Sequence, residues 1–238
     1  DKLAMNSRSA ELVKYVNNAL LATQISVINE LANLSSKLGG IDFGDVCAGV
    51  HLDKRWSPIL DSNKRVYPEI LSYLIPGCGF GGSCLPKDVQ ALKMQGQELG
   101  VEMQLLNAVL DINGRQPSEV STVLNRQLGT LVGRKILILG LSFKAGTDDV
   151  RDSPTLKIIP DLISQGAKLL AHDPIATAGF KDLLGAASSD LVIFVQDWIK
   201  AVDDVEIIIL TTGWEEYQQL SELNISDKIV FDCRGLFD

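Results

Sequence analysis

The sequence predicts a helical region followed by an α/β region with a doubly wound parallel sheet. Three observations carry this prediction. Apolar residues recur every three or four positions through the first 38 residues. The composition changes at Gly133-Arg134-Lys135, and the apolar run Ile136-Leu137-Ile138-Leu139 follows at once, as in a strand buried on both faces. Beyond it, segments typical of strands alternate with segments typical of helices, which is the pattern of a parallel sheet.

The first element is a helix of about 30 residues. Asn6 or Ser9 can cap its start, and Gly39-Gly40 ends it. Its apolar positions are Leu12, Val16, Ala19, Leu20, Val27, Leu31, Leu34 and Leu38. A helix of this length is typical of a domain spine or a subunit interface. We therefore expect a homodimer through residues 10–38, although a helix buried within one chain would show the same periodicity.

Three further helices are expected in the first half. A short one begins after Asp42, a second runs from Pro86 to about Gly100, and a third runs from Met103 to about Leu128 with a break at Pro117. In the second half we expect a helix from Thr155 to about Gln165. The predicted strands are residues 136–140, 168–171, 191–195, 206–211 and 229–232.

Composition excludes several classes of protein. The net charge is −8 with a pI near 4.8, and no block of Lys or Arg provides the basic face that nucleic acids or membrane surfaces require. Four cysteines without a C-x-x-C pair and two histidines make a metal site improbable and favour a reduced, cytoplasmic setting. No apolar run approaches about 18 residues, so no membrane span is expected. Because the chain opens with Asp1-Lys2-Leu3 and no Met, we expect an excised fragment.

The most informative segment is Gly79-Phe80-Gly81-Gly82-Ser83-Cys84-Leu85-Pro86-Lys87-Asp88. A thiol becomes a good nucleophile where cations or backbone N–H groups favour its thiolate, and glycines let a ligand approach the main chain closely. Cys84 is therefore the candidate nucleophile. The alternative is a buried structural cysteine beside a glycine turn.

Three polar residues are candidates to assist Cys84. Lys14 and Asn18 are four residues apart on the first helix, so an ammonium and an amide can converge there on one oxygen. Asp88 follows Cys84 by four residues and can act as a general base, as a positioner of water, or as a helix-start carboxylate.

The loop after the first strand is the expected ligand site of the sheet. It lacks the G-x-G-x-x-G pattern, but it carries Lys144 and Arg151 close to a helix start, a setting suited to phosphate oxygens. The alternative is two solvated cations on a polar loop.

Three long motifs in this order resemble the UDP-glucose/GDP-mannose dehydrogenase family: residues 14–30, residues 79–88 and residues 140–154. The resemblance implies a central helical domain at 1–115, a helical connection at 116–132 and a Rossmann-like nucleotide-sugar-binding domain at 133–238. It also implies that most of the NAD site lies on an N-terminal domain that this sequence lacks.

The resemblance implies a four-electron oxidation of a sugar C6 alcohol to a carboxylate, with two NAD molecules reduced in turn. Cys84 would attack the intermediate aldehyde to form a thiohemiacetal, and a thioester would follow that water hydrolyses. Lys14 and Asn18 would stabilise oxyanion character at C6, and Asp88 would assist the water or position Lys14.

The same resemblance implies binding roles for other residues. The substrate would contact Ile75, Pro76, Gly77, Gly79, Phe80, Gly81, Phe143, Lys144 and Arg234. Cys84, Lys87 and Arg151 would contact NAD. An arginine before the glycine run, often supplied by a neighbouring subunit, would be Arg55, with Arg65 as the alternative.

Two functions of different classes remain open at this level. The first is a nucleotide-sugar 6-dehydrogenase fragment, with UDP-glucose favoured as substrate over GDP-mannose. The second is a nucleotide-binding dimerisation module without catalysis of its own.

Overall fold

The structure is a computed structural model that describes residues 3–61 and 63–237. Its first half consists of α1 (Ser7–Leu38), α2 (Phe43–His51), a 3-10 helix (Glu69–Leu74), α3 (Leu85–Glu98) and α4 (Gln104–Leu128). The Asn6 side chain accepts a hydrogen bond from the Ser9 backbone N–H, so Asn6 is the cap of α1. Asp42 caps α2 through the N–H groups of Gly44 and Asp45.

The helices α1, α3 and α4 pack together around a small apolar core of Ala19, Ala22, Phe80, Val89, Leu106 and Val109. Only Ala19 among the apolar positions predicted for α1 belongs to this core. The others form a stripe that is exposed in this chain: Leu12, Val16, Leu20, Val27, Leu31, Leu34 and Leu38. The periodicity therefore predicted the helix correctly, and its apolar stripe faces away from the chain's own core.

The break predicted at Pro117 is absent, because α4 runs without interruption from Gln104 to Leu128. A proline inside a helix removes one backbone hydrogen bond and crowds the preceding turn. In α4 this cost is offset by burial, since Gln116, Pro117 and Val120 are all buried.

The second half is a five-stranded parallel sheet in the order β3-β2-β1-β4-β5. The strands are β1 (Lys135–Leu139), β2 (Lys168–His172), β3 (Val192–Phe194), β4 (Ile207–Leu210) and β5 (Ile229–Asp232). The helical elements between them are α5 (Thr155–Ser164), α6 (Thr177–Leu184), α7 (Ala186–Ser189), α8 (Trp198–Val202) and a 3-10 helix (Glu215–Glu222).

The central strands β1 and β4 are buried on both faces, as their apolar sequences predict. Ile136 and Ile138 of β1 face the core shared with α5, which extends to Leu124 of α4. Leu137 and Leu139 face the opposite core with Trp198 and Tyr217. The fold prediction is confirmed, but α6, α7, α8 and both 3-10 helices were not predicted.

The strand order reverses its direction of growth between β1 and β4, which is the position where doubly wound sheets bind ligands. The loop after β1 begins there, and the residues after β4 and β5 end at the same edge of the sheet. None of the helices in residues 3–61 and 63–237 is both long and apolar enough to cross a bilayer.

Candidate active site

A cleft of about 380 Å³ lies between the helical region and the carboxyl edge of the sheet. The segment of residues 75–83, called the glycine loop below, forms one wall, and the loop after β1 forms the other. The lining residues are Asn18, Leu21, Ile25, Ser72, Tyr73, Ile75, Pro76, Gly77, Gly79, Phe80, Gly81, Ser83, Cys84, Leu85, Phe143, Lys144, Cys233 and Arg234.

The glycine loop packs tightly against the sheet region. Gly82 has a φ of +79°, and a Cβ there would lie 2.7 Å from the Phe143 ring. A Cβ at Gly81 would overlap the backbone oxygen of Asp152. The Gly82 N–H also donates to the Arg151 carbonyl at 2.9 Å. Glycine is required at position 81 because two backbones meet there at close range, and at position 82 because φ is positive and the Phe143 ring fills the space of a Cβ.

Cys84 lies at the N-terminal cap of α3 and is exposed at the cleft. The partial positive charge at a helix N-terminus favours negative charge on a group held there. The alternative of a buried structural cysteine fits Cys47, Cys78 and Cys233, which are buried, but it does not fit Cys84.

Asp88 is a buried carboxylate one turn into α3, and it joins the two candidate residues of α1. Its Oδ2 accepts from Lys14 Nζ at 2.8 Å and from Asn18 Nδ2 at 2.6 Å. Its Oδ1 lies 3.4 Å from Lys87 Nζ. Burial acts to raise the pKa of Asp88, but the contacts from Lys14, Asn18 and Lys87 outweigh burial and lower the pKa below its usual value.

Lys14 remains 56% exposed at its side chain while it contacts Asp88. The hydrogen bond to Asp88 raises the pKa of Lys14, and the charge of Cys84 acts in the same direction. An ammonium has three donors, so Lys14 can contact Asp88 and still donate to a ligand. The Asn18 side chain lines the cleft directly.

Two cations stand on the sheet side of the cleft, Lys144 and Arg234. Arg234 Nε donates to the Thr211 carbonyl at 2.5 Å, and its Nη2 donates to the Phe143 carbonyl at 3.5 Å. These bonds link the end of β5 to the loops after β4 and β1. The guanidinium is thus held in one orientation at the strand-order reversal, which is where an anionic ligand would bind.

A pair of buried thiols lies behind this wall. Cys233 lines the cleft, and Cys78 is buried within the glycine loop. The neighbouring Cys233 thiol acts to lower the pKa of the buried Cys78 thiol. The same contact raises the pKa of Cys233.

The structure brings most of the sequence-predicted residues together at one cleft. The lining includes Cys84, Asn18 and the nine substrate candidates Ile75, Pro76, Gly77, Gly79, Phe80, Gly81, Phe143, Lys144 and Arg234. Lys14 and Asp88 adjoin it through Asn18. Lys87 and Arg151 are exposed cations that do not line the cleft, and they pair with Asp88 and Asp149.

The two candidate arginines before the glycine run do not line the cleft of this chain. Arg55 pairs with Asp53 in the solvent, and this pairing lowers the pKa of Asp53 to about 2. Arg65 donates to the carbonyls of Leu52 and Ser57 and so holds its own loop. The role of either arginine at a substrate stays a prediction.

Sequence reasoning missed seven lining residues: Leu21, Ile25, Ser72, Tyr73, Ser83, Leu85 and Cys233. Leu21 and Ile25 could have been predicted from the sequence, since they follow Asn18 by three and seven residues on the same face of α1. Ser72 and Tyr73 lie on a 3-10 helix that no periodicity indicated. In the described part of the chain, no three His, Cys, Asp or Glu side chains converge as a metal site would require.

The fold and the cleft define a class of protein. It is a doubly wound α/β protein with an attached helical region, and its cleft at the strand-order reversal holds cations at one side and an exposed thiol at the other. Family profiles agree with this description. The profile described as UDP-glucose/GDP-mannose dehydrogenase family, central domain, matches residues 8–115. The profile described as the UDP binding domain of that family matches residues 137–238. The chain belongs to the UDP-glucose/GDP-mannose dehydrogenase family.

Individual relatives agree with the profiles. UDP-glucose 6-dehydrogenase TuaD of Bacillus subtilis is 36% identical over 98% of this chain and 47% of its own length. The structure of a UDP-glucose dehydrogenase from Pyrobaculum islandicum superposes with a TM-score of 0.82 at 39% identity, covering 99% of this chain and 50% of that one. The structure of a GDP-mannose dehydrogenase from Pseudomonas aeruginosa has a TM-score of 0.60 at 30% identity, over 96% and 50%. The chain thus spans about half the length of these relatives.

Proposed function

We propose that this chain carries the substrate-binding and thiol-bearing part of an NAD-dependent nucleotide-sugar 6-dehydrogenase that oxidises UDP-glucose to UDP-glucuronate. The observation that carries the proposal is the cleft itself, in which the Cys84 thiol and the cations Lys144 and Arg234 share one cavity. A nucleotide sugar that placed its diphosphate at these cations would extend its sugar along the glycine loop toward Cys84. The similarity to UDP-glucose dehydrogenases supports this substrate. We also propose domain limits of 1–115 and 133–238, with 116–132 as the connection.

The residues beside Cys84 fit a bound NAD. The exposed cations Lys87 and Arg151 are suited to the pyrophosphate oxygens of a dinucleotide. Asp149 raises the pKa of Arg151 by a hydrogen bond, and the charge of Cys84 adds to this effect. NAD, when bound, supplies the hydride acceptor for both oxidations.

Cys84 performs the covalent part of the reaction. Its sulfur adds to the aldehyde carbon at C6 and holds that carbon during the second oxidation, which leaves a thioester. Water then attacks the acyl carbon, the carbon–sulfur bond breaks, and Cys84 leaves as the thiolate. The exposure of Cys84 at the N-terminus of α3 supports this role.

Lys14 and Asn18 stabilise the negative charge that develops on the C6 oxygen. Asp88 acts as their positioning residue, because its carboxylate is fully buried and already accepts from both. Its burial argues against direct contact with the hydrolytic water. Of the three roles open for Asp88, this arrangement favours the positioning of Lys14.

The exposed apolar stripe of α1 supports a homodimer through residues 10–38. The opposite face of α1 already packs on α3 and α4, and none of residues 3–61 and 63–237 buries the stripe. Exposed apolar patches of this extent are typical of protein interfaces. In such a dimer, Arg55 could serve the partner's cleft, as the resemblance implies.

Two other readings compete with this proposal. The similarity to a GDP-mannose dehydrogenase keeps GDP-mannose as an alternative substrate. A nucleotide-binding module without catalysis would bind the ligand but would not need Cys84.

Calorimetric titration of the chain with UDP-glucose and with GDP-mannose tests the proposal. We expect binding of UDP-glucose at least about 10-fold tighter than binding of GDP-mannose. Alkylation of Cys84 by iodoacetamide, followed by peptide mass spectrometry, should slow when UDP-glucose is present. If GDP-mannose bound as tightly as UDP-glucose or more tightly, UDP-glucose would be the wrong substrate. If the chain bound neither ligand, the proposed function would be refuted. Binding without any protection of Cys84 would favour the non-catalytic module.

A further inference from the structure

The wall of the cleft that faces Cys84 is a loop with almost no backbone partners of its own. Within residues 3–61 and 63–237, the only backbone–backbone hydrogen bond made by residues 77–82 is the one from Gly82 N–H to the Arg151 carbonyl. A loop of this kind loses much conformational entropy when it is fixed, particularly because it is rich in glycine. Something other than secondary structure must hold it.

Three amide side chains take that place. Asn29 of α1 accepts from the Gly77 N–H at 2.7 Å through its Oδ1. Gln116 of α4 donates to the Gly77 carbonyl at 2.9 Å through its Nε2. Both peptide groups of Gly77 are therefore satisfied by side chains from two different helices.

Asn113 pairs with both the backbone N–H and the backbone carbonyl of Phe80, and it does so with a single side chain. Its Oδ1 accepts from the Phe80 N–H at 2.8 Å, and its Nδ2 donates to the Phe80 carbonyl at 3.0 Å. A carboxamide presents one acceptor and donors side by side, so it can imitate a neighbouring strand. Gly79 permits this approach, because it has a φ of +102° and a Cβ there would lie 2.8 Å from Asn113 Oδ1.

The amides hold the loop from behind. Gly77 and Phe80 line the cleft, whereas Asn29, Asn113 and Gln116 do not. Gln116 is itself fixed, since its Oε1 accepts from Asn33 Nδ2 at 2.9 Å. Substrate and amides would therefore contact opposite sides of the same peptide groups.

We propose that Asn29, Asn113 and Gln116 are positioning residues that fix the glycine loop for substrate binding and for the orientation of Cys84. They act through the peptide groups of Gly77 and Phe80 and do not touch the substrate. The proposal deepens the function proposed above and rests on it for the identity of the ligand.

The variant Asn113→Ala tests the proposal with little risk to the fold. Alanine is a better helix former than asparagine, so α4 keeps its propensity while both bonds to Phe80 are lost. The matched control is Asn125→Ala, which removes an amide from the same helix that bonds Gln165 instead of the glycine loop. Two readouts are measured on the whole chain: UDP-glucose affinity by calorimetry, and the alkylation rate of Cys84 by iodoacetamide.

We expect Asn113→Ala to weaken UDP-glucose binding by about 10-fold and to slow the alkylation of Cys84 by about threefold, with Asn125→Ala like the unmodified chain. The buried Cys47 reports on folding, because it lies on α2, outside the glycine loop and the cleft, and becomes reactive only if the chain opens. If Cys47 is labelled in Asn113→Ala, Asn113 merely holds the fold and the proposal is wrong.

The remaining outcomes separate this proposal from the proposed function. Unchanged affinity and unchanged Cys84 reactivity in Asn113→Ala overturn the positioning role and leave the function intact. If the unmodified chain binds neither UDP-glucose nor GDP-mannose, the function fails. In that case the alkylation rate of Cys84 in Asn113→Ala alone tests the positioning role. A threefold slower rate supports that role, and an unchanged rate refutes it.

Discussion

At the scale of single residues, the site depends on charges that are held before any ligand arrives. Asp88 is buried but carries a lowered pKa, because three neighbouring donors outweigh the cost of burial. Arg234 is held by two backbone carbonyls from loops that follow different strands. Substitution of either residue should therefore have a measurable effect on stability or on ligand binding.

Replacing Asp88 with asparagine should lower the free energy of unfolding by about 1–3 kcal/mol at neutral pH, since Lys14 and Lys87 lose their partner. The sign of the pH effect follows from the lowered pKa. The ionised Asp88 stabilises the fold above its ordinary pKa of 3.8, and this contribution is lost as the pH falls through the folded value. Denaturant unfolding of Asp88→Asn at several pH values should show a weaker loss of stability in acid than the unmodified chain. Asp182→Asn, at an exposed position on α6, is the control, and parallel acid profiles for Asp88→Asn and the unmodified chain would contradict the assignment.

Replacing Arg234 with lysine should weaken UDP-glucose binding by about 10-fold. A lysine has no planar fork, so it cannot reach the carbonyls of Thr211 and Phe143 and still meet a phosphate. Calorimetry measures the effect, with Arg115→Lys on the exposed side of α4 as the control. If Arg234→Lys and Arg115→Lys bound UDP-glucose with equal affinity, Arg234 would not be a binding residue.

At the scale of elements, long and regular features were predictable and short ones were not. A cap of α1 at Asn6 or Ser9, a helix start after Asp42 and the apolar strands of the sheet were predicted from local chemistry, and the caps are Asn6 and Asp42. The expected break at Pro117 was wrong because burial of α4 overrides a local proline signal. α7 and α8 span only four and five residues, too few to show a period.

The site was predictable to a similar extent, and for a physical reason. Cys84 and its glycine run are adjacent in sequence, so their motif was visible. The amides Asn29 and Asn113 reach the glycine loop from positions 48 and 33 residues away, and nothing local indicates that contact. Contacts between distant segments are set by the packing of helices, which a single sequence does not display.

The apolar stripe of α1 makes a prediction about assembly. Leu20→Glu should convert a dimer of the 25.9 kDa chain into a monomer, because a carboxylate in the centre of an apolar interface loses its water without gaining a partner. Leu191→Glu is the matched control, since Leu191 is 59% exposed and Leu20 is 58% exposed. Sedimentation velocity measures the mass. A monomeric unmodified chain would refute the homodimer, and a dimer that survives Leu20→Glu would place its interface outside the apolar stripe.

At the scale of the whole molecule, the cleft exists only because two regions of the chain meet. Its helical wall comes from residues before 86 and its sheet wall from residues after 142. The walls meet backbone against backbone where Gly81 contacts Asp152, and Gly82 packs against the Phe143 ring. The geometry of the site therefore depends on how closely the two regions approach.

Gly81→Ala tests this dependence. The new methyl group would overlap the Asp152 carbonyl, and backbone on both sides leaves it no room, so the two walls must move apart. We expect the free energy of unfolding to fall by about 1–3 kcal/mol, and UDP-glucose affinity to fall by at least about 10-fold. Gly114→Ala on α4 is the control, because a Cβ there meets no atom within 4 Å and alanine favours the helix. Calorimetry and denaturant unfolding measure both quantities, and a Gly81→Ala chain that binds as tightly as Gly114→Ala would show that ligand binding does not require close approach of the two walls.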